Sequence, residues 1–264
     1  MKNCLIMGSG RSGTSLMGGL LYNAGYYMGE ELYAPLESNP KGFFECAEIN
    51  GINEDILAKY NVRPDRNFYY SVFPRSRNKF PVRDQRWLTS VPPAVTITCE
   101  DASIEERIQS ALRKEPFCFK DPRFSYTYPV WEKFLPQGTR FICVFREPDV
   151  TVQSILDACA RHEYLGDLYI TRKSAFRLLY NLYSHILSNF TGRMDILYVH
   201  YRQLLSGDIL PKTEDFLDCD LQKDWIDEKL NRTVASGRVP ARTVSVYRRL
   251  CELANYLPLG TDPD

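Results

Sequence analysis

The sequence predicts an α/β fold, a three-layer sandwich in which a central, mostly parallel sheet lies between helices. Four short apolar runs, rich in residue types that favour strands, lie along the chain. Segments with helical patterns separate them, and strands that alternate with helices favour a parallel sheet covered on both faces. Of the 264 residues, 44% are hydrophobic, which is enough for a sizeable core. Ligands of such sheets bind at the carboxyl ends of the strands, so a site is expected there.

The predicted elements follow in order along the chain. Strands are expected at 3–7, Phe117–Lys120, Arg140–Phe145 and Ile196–His200. Helices are expected at Thr14–Asn23, at Ala47–Tyr60, over about ten residues from a Ser103-x-x-Glu106 capping box, at Pro148–Arg161, at Asp167–Asn189 and at Thr243–Tyr256. These elements predict one domain over residues 1–264, with an irregular insertion at about 61–93 and a helical C-terminal part at about 207–264.

Charge and cysteine content narrow the expected partners and compartment. The chain carries 33 Lys and Arg residues against 33 Asp and Glu residues, so its formal net charge is zero. Such a chain is not expected to bind nucleic acid by counterion release, and it must hold any anion with a few well-placed groups. The eight cysteines are scattered without metal-site spacing and are expected to be reduced thiols. The sequence shows no signal peptide and no membrane span, so a cytoplasmic protein is expected.

The segment between the first strand and the first helix has the composition of a phosphate-binding loop. Residues 8–15 read GSGRSGTS. Glycines let backbone N–H groups approach a phosphate closely, and the N-terminus of the following helix adds partial positive charge. A plain glycine-rich turn is the alternative interpretation. The strand–loop–helix context favours the phosphate site.

The loop departs from a Walker A loop, which reads GxxxxGK[ST]. Gly8 and Gly13 have the Walker spacing, but Thr14 occupies the lysine position and Arg11 is the only cation in the loop. A Walker NTPase also needs an acidic residue after an apolar strand to help hold Mg²⁺, and Asp121 is the nearest match. The pattern favours a phosphorylated ligand that is handled without a metal. A P-loop small-molecule kinase and a non-catalytic nucleotide-binding protein are the alternatives.

Three motifs resemble those of sulfotransferases that use 3′-phosphoadenosine 5′-phosphosulfate (PAPS). The RSGTS run at 11–15 resembles the 5′-phosphosulfate loop of that family. Arg146 at the end of a strand, with Ser154 eight positions later in a helix, resembles the pair that holds the 3′-phosphate. The KDPR run at 120–123 resembles an element of tyrosylprotein and many bacterial sulfotransferases. The resemblance spans residues 3–205 and implies a P-loop NTPase-like α/β fold, a sulfuryl transfer from PAPS to a hydroxyl or amine, and no metal.

The resemblance also implies which residues hold the donor. It carries the cofactor-binding role to Gly10, Arg11, Ser12, Gly13, Thr14, Ser15, Arg146, Ser154 and Tyr201, the last of which matches a tyrosine near the adenosine. Sulfuryl transfer is an in-line displacement that depends on positioning and charge stabilisation. Arg11 is expected to bind the sulfuryl oxygens. Lys120 is expected to contact the bridging oxygen of the 5′-phosphate, which leaves during transfer. The planar guanidinium of Arg146 suits bidentate phosphate binding.

The base that takes the proton of the acceptor is open among three side chains. The resemblance to the tyrosylprotein branch, in which a Gly-Glu-Glu step carries the base, predicts Glu31 of an MGEE run, with one residue gapped. Glu45 is its rival, in an NPKGFFE stretch that resembles bacterial sulfotransferases. His162, at a helix end, is the third candidate for the base, whereas His185 and His200 are expected to be structural. A carboxylate can act as a base where burial or a hydrogen bond tunes its pKa.

The sequence leaves the acceptor open. Residues 60–90 are rich in arginine and aromatic residues and suit a lid over a sugar, a phenol or a lipid head; the aromatic residues include Tyr60, Phe68, Tyr69, Tyr70 and Trp87. A packed loop or a protein-binding surface is the alternative. The basic segment 232–242 resembles one that closes over the nucleotide. We expect a small-molecule, saccharide or lipid acceptor, and the sequence does not determine the oligomeric state.

Overall fold

A sheet of parallel strands forms the centre of the fold. The structure, a computed structural model, describes residues 1–36, 39–60, 80–227 and 237–258. Within these ranges the strands are β1 (Cys4–Met7), β2 (Cys118–Lys120), β3 (Arg140–Phe145) and β4 (Ile196–His200). They lie in the order β2-β1-β3-β4, and each neighbouring pair is parallel. The predicted parallel sheet is confirmed.

Helices cover both faces of this sheet. They are α1 (Thr14–Asn23), α2 (Ala47–Ala58), α3 (Ala102–Ala111), α4 (Phe124–Trp131), α5 (Pro148–Arg161), α6 (Arg172–Phe190), α7 (Tyr201–Ser206), α8 (Leu210–Leu217) and α9 (Ala241–Leu253). One core contains side chains of α1, α7 and α8, and the other contains side chains of α2 to α6 and α9. The predicted three-layer α/β sandwich is therefore confirmed.

The strands are apolar except at some of their ends, because each contributes to both cores. In β1, Cys4 and Ile6 belong to the core under α1, while Leu5 and Met7 belong to the opposite core, and all four are fully buried. Successive side chains of a strand point to opposite faces of the sheet. A parallel sheet covered on both faces therefore needs continuous apolar runs, which is the pattern that predicted these strands.

Most predicted helices are confirmed within a few residues, and two of the differences have a clear cause at the N-terminus. Helix α6 begins at Arg172 rather than at Asp167 because the Thr171 side chain caps its first turn. Helix α3 begins before Ser103 because the Asp101 carboxylate accepts hydrogen bonds from the first-turn N–H groups. The predicted capping box that starts at Ser103 is therefore wrong. Helices α2 and α9 end two and three residues earlier than expected.

Three helices were not predicted, of which α4 is the most instructive. Its side chains are buried on nearly every side and Pro129 lies inside it, so it shows no apolar stripe and carries a residue typical of helix ends. The other two, α7 and α8, are short and follow β4, and the extent of the helical C-terminal part stays a prediction.

The predicted insertion is only partly within the described residues. Positions 61–79 lie outside them, and 80–93 is irregular except for a short 3₁₀ turn at Arg86–Leu88. The basic segment 232–242 lies outside them up to residue 236, and α9 begins at Ala241. No helix in the described ranges is long and apolar enough to cross a membrane. All eight cysteines lie in these ranges as free thiols, and most are buried.

Candidate functional site

The strand order creates a crevice at the carboxyl edge of the sheet. The chain leaves β1 towards β2 on one side, and it leaves β3 towards β4 on the other, so the connections after two adjacent strands diverge. Ligands of open α/β sheets bind at such a point. The 8–15 loop follows β1 and Arg146 follows β3. The two halves of the predicted anion site therefore flank the same crevice.

Ser12 braces the loop from inside. Its hydroxyl oxygen lies 2.6 Å from the Ser9 carbonyl oxygen and 3.1 Å from the Val144 carbonyl oxygen, and its backbone N–H also donates to Ser9. Ser12 is fully buried, so its side chain ties the loop to β3 and does not face the crevice. Its predicted contact with a cofactor stays a prediction.

Gly13 caps α1 and lies under an aromatic ring. Its φ of 100° is in the left-handed region, and a Cβ atom there would lie 2.4 Å from the ring of Tyr201. Only glycine fits both constraints. Gly13 has no side chain that could accept hydrogen bonds from the first turn of α1. The N–H groups of Thr14 and Ser15, at the positive end of the helix, therefore have no competing side-chain cap. The predicted residues Gly13, Thr14, Ser15 and Tyr201 thus lie together.

Two arginines and a serine from three elements meet above this loop. The Arg11 Nε atom donates a hydrogen bond to the Ser154 hydroxyl at 3.1 Å. The Arg146 guanidinium lies 4.5 Å from the centre of the Tyr201 ring, and its side chain is only 10% exposed. The structure therefore brings together the predicted 5′ and 3′ halves of the donor site.

The electrostatics of these arginines favour an anion. Burial lowers the pKa of Arg11 and that of Arg146, and the charge of Arg146 lowers the pKa of Arg11 further. The carboxylate of Glu147 is 3.9 Å from the Arg146 Nε atom and forms its closer ion pair with Arg202. Two half-buried cations that repel each other make a place where negative charge is stabilised.

Lys120 and Glu45 form an ion pair at the end of β2. The Lys120 side chain is 1% exposed, and its ammonium group donates to the Glu45 carboxylate, which also accepts from Asn50 at 2.7 Å. Burial raises the pKa of Glu45, but the charges of Lys120 and Arg123 outweigh burial and hold that pKa below its usual value. The structure thus joins the predicted catalytic lysine to the rival candidate for the base.

The other candidates for the base lie on neighbouring segments. The Glu31 side chain is exposed, and the backbone carbonyl of the residue accepts from the Ala47 N–H at 2.9 Å. His162 follows α5, where burial and the nearby charge of Arg11 lower its pKa. The choice of Glu31 stays a prediction, and Glu45 is the carboxylate that contacts Lys120.

Asp121, the nearest match to a Walker acid, is committed to a buried network. It is fully buried, and its carboxylate accepts hydrogen bonds from Arg123 and from the Asn53 side chain. Arg123 also pairs with Glu54 at 2.6 Å. Burial raises the pKa of Asp121. Among the residues that the structure describes, no group of three or more His, Cys, Asp or Glu side chains is arranged to hold a metal ion.

Two further aromatic residues lie in this region: Trp87, which the sequence predicted only as part of a lid over the acceptor, and Tyr164, which it did not single out. Trp87 packs on Gly10, where a Cβ atom would lie 2.7 Å from its ring. Tyr164 follows α5, and the Trp87 indole lies close enough to its phenol to lower its pKa. Gly10 was the available signal, since a glycine in a loop often marks a close approach. Its partner, 77 positions later, could not be identified from spacing.

His200 gives the fold a testable dependence on pH. It is buried at the end of β4, where Nδ1 accepts from the Arg202 N–H and Nε2 lies 3.1 Å from the Tyr247 hydroxyl. Burial lowers its pKa from 6.5 to about 4. Between these values the unfolded chain binds a proton that the folded chain does not, so stability falls as the pH drops, by up to about 3 kcal/mol.

The contribution of His200 is measured as a difference between two proteins. From pH 7 to pH 4.5, the free energy of unfolding measured in urea should fall more in the natural chain than in His200→Gln, whose glutamine cannot bind a proton in this range. Equal losses in the two proteins would show that this imidazole does not carry the effect.

A comparison with known proteins found a solved structure that is similar to this chain in fold. No family model matches the sequence, and no curated protein matches it. Among solved structures, a sulfotransferase domain from the curacin biosynthetic pathway is similar, with a TM-score of 0.53 and 14% identity, over 97% of this chain and 99% of that domain. A similarity at this level of identity shows the fold alone. The chain therefore has the α/β fold of a sulfotransferase domain.

Proposed function

We propose that the protein is a sulfotransferase that transfers the sulfuryl group of PAPS to a hydroxyl or amine acceptor. The observation that carries the proposal is the pairing of Arg11 with Ser154 beside Arg146 in one crevice, above the N-terminus of α1. PAPS is anionic at both its 3′-phosphate and its 5′-phosphosulfate, so it needs two such positive positions. The sulfotransferase fold of the chain supports the same conclusion.

In the proposed reaction each group has one task. Arg146 and Ser154 hold the 3′-phosphate, while Arg11 and the first-turn N–H groups hold the phosphosulfate. The acceptor oxygen or nitrogen attacks sulfur, and the bond from sulfur to the 5′-phosphate oxygen breaks. Lys120 stabilises the negative charge on that leaving oxygen. A base takes the proton of the acceptor, and 3′,5′-adenosine bisphosphate is released.

The proposed function is tested by binding and by transfer. Calorimetry in the presence of EDTA should show that 3′,5′-adenosine bisphosphate binds more tightly than adenosine 5′-monophosphate, which lacks the 3′-phosphate. Radiolabelled sulfate should then pass from PAPS to a member of a pooled set of small hydroxyl compounds. Mg²⁺-dependent binding of ATP with phosphoryl transfer would instead support a kinase, and binding of the bisphosphate without any transfer would support a non-catalytic protein.

We further propose Glu45 as the base, because it is the candidate that contacts Lys120. Glu45→Gln is expected to lower kcat by about 10²–10⁴-fold, the usual contribution of a positioned base. Since the base acts deprotonated and the pKa of Glu45 is lowered, the acidic limb of the kcat/KM profile should lie below the ordinary pKa of a glutamate.

Two exposed glutamates complete that experiment. Glu48→Gln changes an exposed residue on the first turn of α2 and should leave kcat within about twofold, as is usual for surface substitutions. Glu31→Gln tests the sequence-based choice directly. If Glu31→Gln abolishes turnover while Glu45→Gln keeps it, Glu31 is the base and the assignment of Glu45 is wrong.

A further inference from the structure

We propose that Trp87 and Tyr164 form the acceptor-side wall of the site, and that this wall positions an uncharged acceptor whose hydroxyl is carried by a flat ring. The shared chemistry is a flat, weakly polar ring face, which either a phenol or a pyranose supplies. The proposal rests on the proposed function and names the acceptor class for the same site.

The first observation is that the 8–15 loop contacts one aromatic ring near each end. Tyr201 packs on Gly13 and lies under Arg146, which is the side of the 3′-phosphate. Trp87 packs on Gly10, where a Cβ atom would lie 2.7 Å from two of its ring carbons. With Tyr201 on the nucleotide side, the opposite end of the loop is left for the acceptor.

The second observation is that the Tyr164 ring packs against the ring of His162, with the two ring centres 5.8 Å apart, and that its phenol is near the charges of Arg11 and Glu45. Burial raises the pKa of Tyr164, the nearby Trp87 indole lowers it, and the charge of Glu45 raises it. The same phenol acts on the guanidinium of Arg11. An acceptor hydroxyl must lie between the proposed partner of the sulfuryl group and the proposed base, and Tyr164 borders that space.

The third observation is that this wall is held in place from two sides. The Gln85 side chain donates to the Tyr164 carbonyl at 2.6 Å, which joins the two segments. Next to Trp87, the Arg86 guanidinium pairs at 2.7 Å with Glu54, which is 2% exposed. Ordered supports of this kind hold a binding surface in one geometry, which is what in-line transfer requires.

The charges on the Lys120 side of the wall are paired and Arg11 is assigned to the donor, so the wall favours an uncharged acceptor. Lys120 is paired with Glu45, and Arg123 is paired with Asp121 and Glu54. These pairs leave the wall itself to contribute two ring surfaces and a phenol. Aromatic side chains bind flat rings through their faces and edges, and a phenol adds one hydrogen bond that orients the ligand.

The test uses three probes with the protein saturated by 3′,5′-adenosine bisphosphate. They are 4-methylphenol, methyl β-D-glucopyranoside and 1-butanol, which carries a hydroxyl without a ring. Calorimetry should show that at least one ring probe binds more tightly than 1-butanol. Trp87→Leu and Tyr164→Leu should each weaken that binding by about five- to tenfold, the size of an aromatic contact. The ring probe that responds identifies the source of the ring.

Two controls separate positioning from folding. Tyr169→Leu is the matched variant, since Tyr169 is 48% exposed in the same segment where Tyr164 is 49% exposed, and it should change binding by less than about twofold. Trp87→Phe keeps a ring on Gly10 and should retain most of the affinity. In transfer assays with the responding ring probe as acceptor, the acceptor KM should rise in Trp87→Leu while kcat and the KM for PAPS change little.

Three outcomes would overturn the proposal. One is that neither ring probe binds more tightly than 1-butanol. Another is that the Trp87 and Tyr164 variants weaken bisphosphate binding as much as ring binding, which would place these residues on the nucleotide side. The last is that Tyr169→Leu has the same effect. Failure of the proposed function would look different, because the natural chain would then not bind the bisphosphate at all.

Discussion

Replacement of Arg146 by alanine is expected to weaken the binding of 3′,5′-adenosine bisphosphate by about a hundredfold. The guanidinium is nearly buried over the Tyr201 ring, and a bidentate contact with a phosphate supplies two charge-assisted hydrogen bonds. Each such bond contributes about 1.5–3 kcal/mol, and every 1.4 kcal/mol is tenfold in affinity. Calorimetric titration without Mg²⁺ measures the change.

Two variants and one ligand make this result specific. Arg249→Ala removes the same charge from an exposed pair with Glu252 on α9, and bisphosphate affinity should then stay within about twofold. Arg146→Lys keeps the charge without the planar guanidinium, and its bisphosphate affinity should lie between those of Arg146→Ala and Arg249→Ala. Adenosine 5′-monophosphate should bind Arg146→Ala and the natural chain alike. If Arg146→Ala binds the bisphosphate normally, the 3′-phosphate is held elsewhere.

Replacement of Lys120 by methionine is expected to lower turnover by about 10²–10³-fold, the usual effect of removing a group that stabilises developing negative charge. Bisphosphate binding should change little, because the ammonium acts on a charge that forms only during transfer. The protein should also lose about 3–5 kcal/mol of stability, since Glu45 is left as a nearly buried carboxylate without its partner. Single-turnover transfer and urea unfolding measure the two effects separately.

A double variant distinguishes these two roles of Lys120. Lys120→Met combined with Glu45→Gln removes both charges, so stability should largely return while turnover stays low. Lys133→Met, which breaks an exposed pair with Glu105, is the control for loss of a lysine and should change neither quantity much. Recovery of turnover in the double variant would show that the pair is structural only.

The strands were predictable because burial on two faces leaves a sequence pattern that does not depend on distant residues. Helix α4 was not, because a helix buried nearly all round lacks the 3.6-residue stripe, and its Pro129 suggested a helix end. The start of α3 was misplaced because Asp101 and Ser103 are both good caps, and only the backbone geometry selects Asp101.

The donor half of the candidate site was more predictable than the acceptor half. Arg11 lies in a loop of fixed spacing, and Arg146 and Ser154 are separated by one short connection, so motifs selected all three as candidates. Glu45 and Trp87 reach the site from irregular segments. Their positions depend on tertiary contacts with Lys120 and Gly10 that no local pattern encodes.

The pairing of β1 has a consequence for synthesis of the chain. This strand lies in the middle of the sheet, yet its first partner, β2, follows more than a hundred residues later. At a translation rate of about 5–20 residues per second, the apolar Cys4–Met7 segment waits roughly 5–20 s on the ribosome before β2 is made. Unpaired apolar strands of this kind favour aggregation, so the nascent chain is expected to need protection by chaperones during that interval.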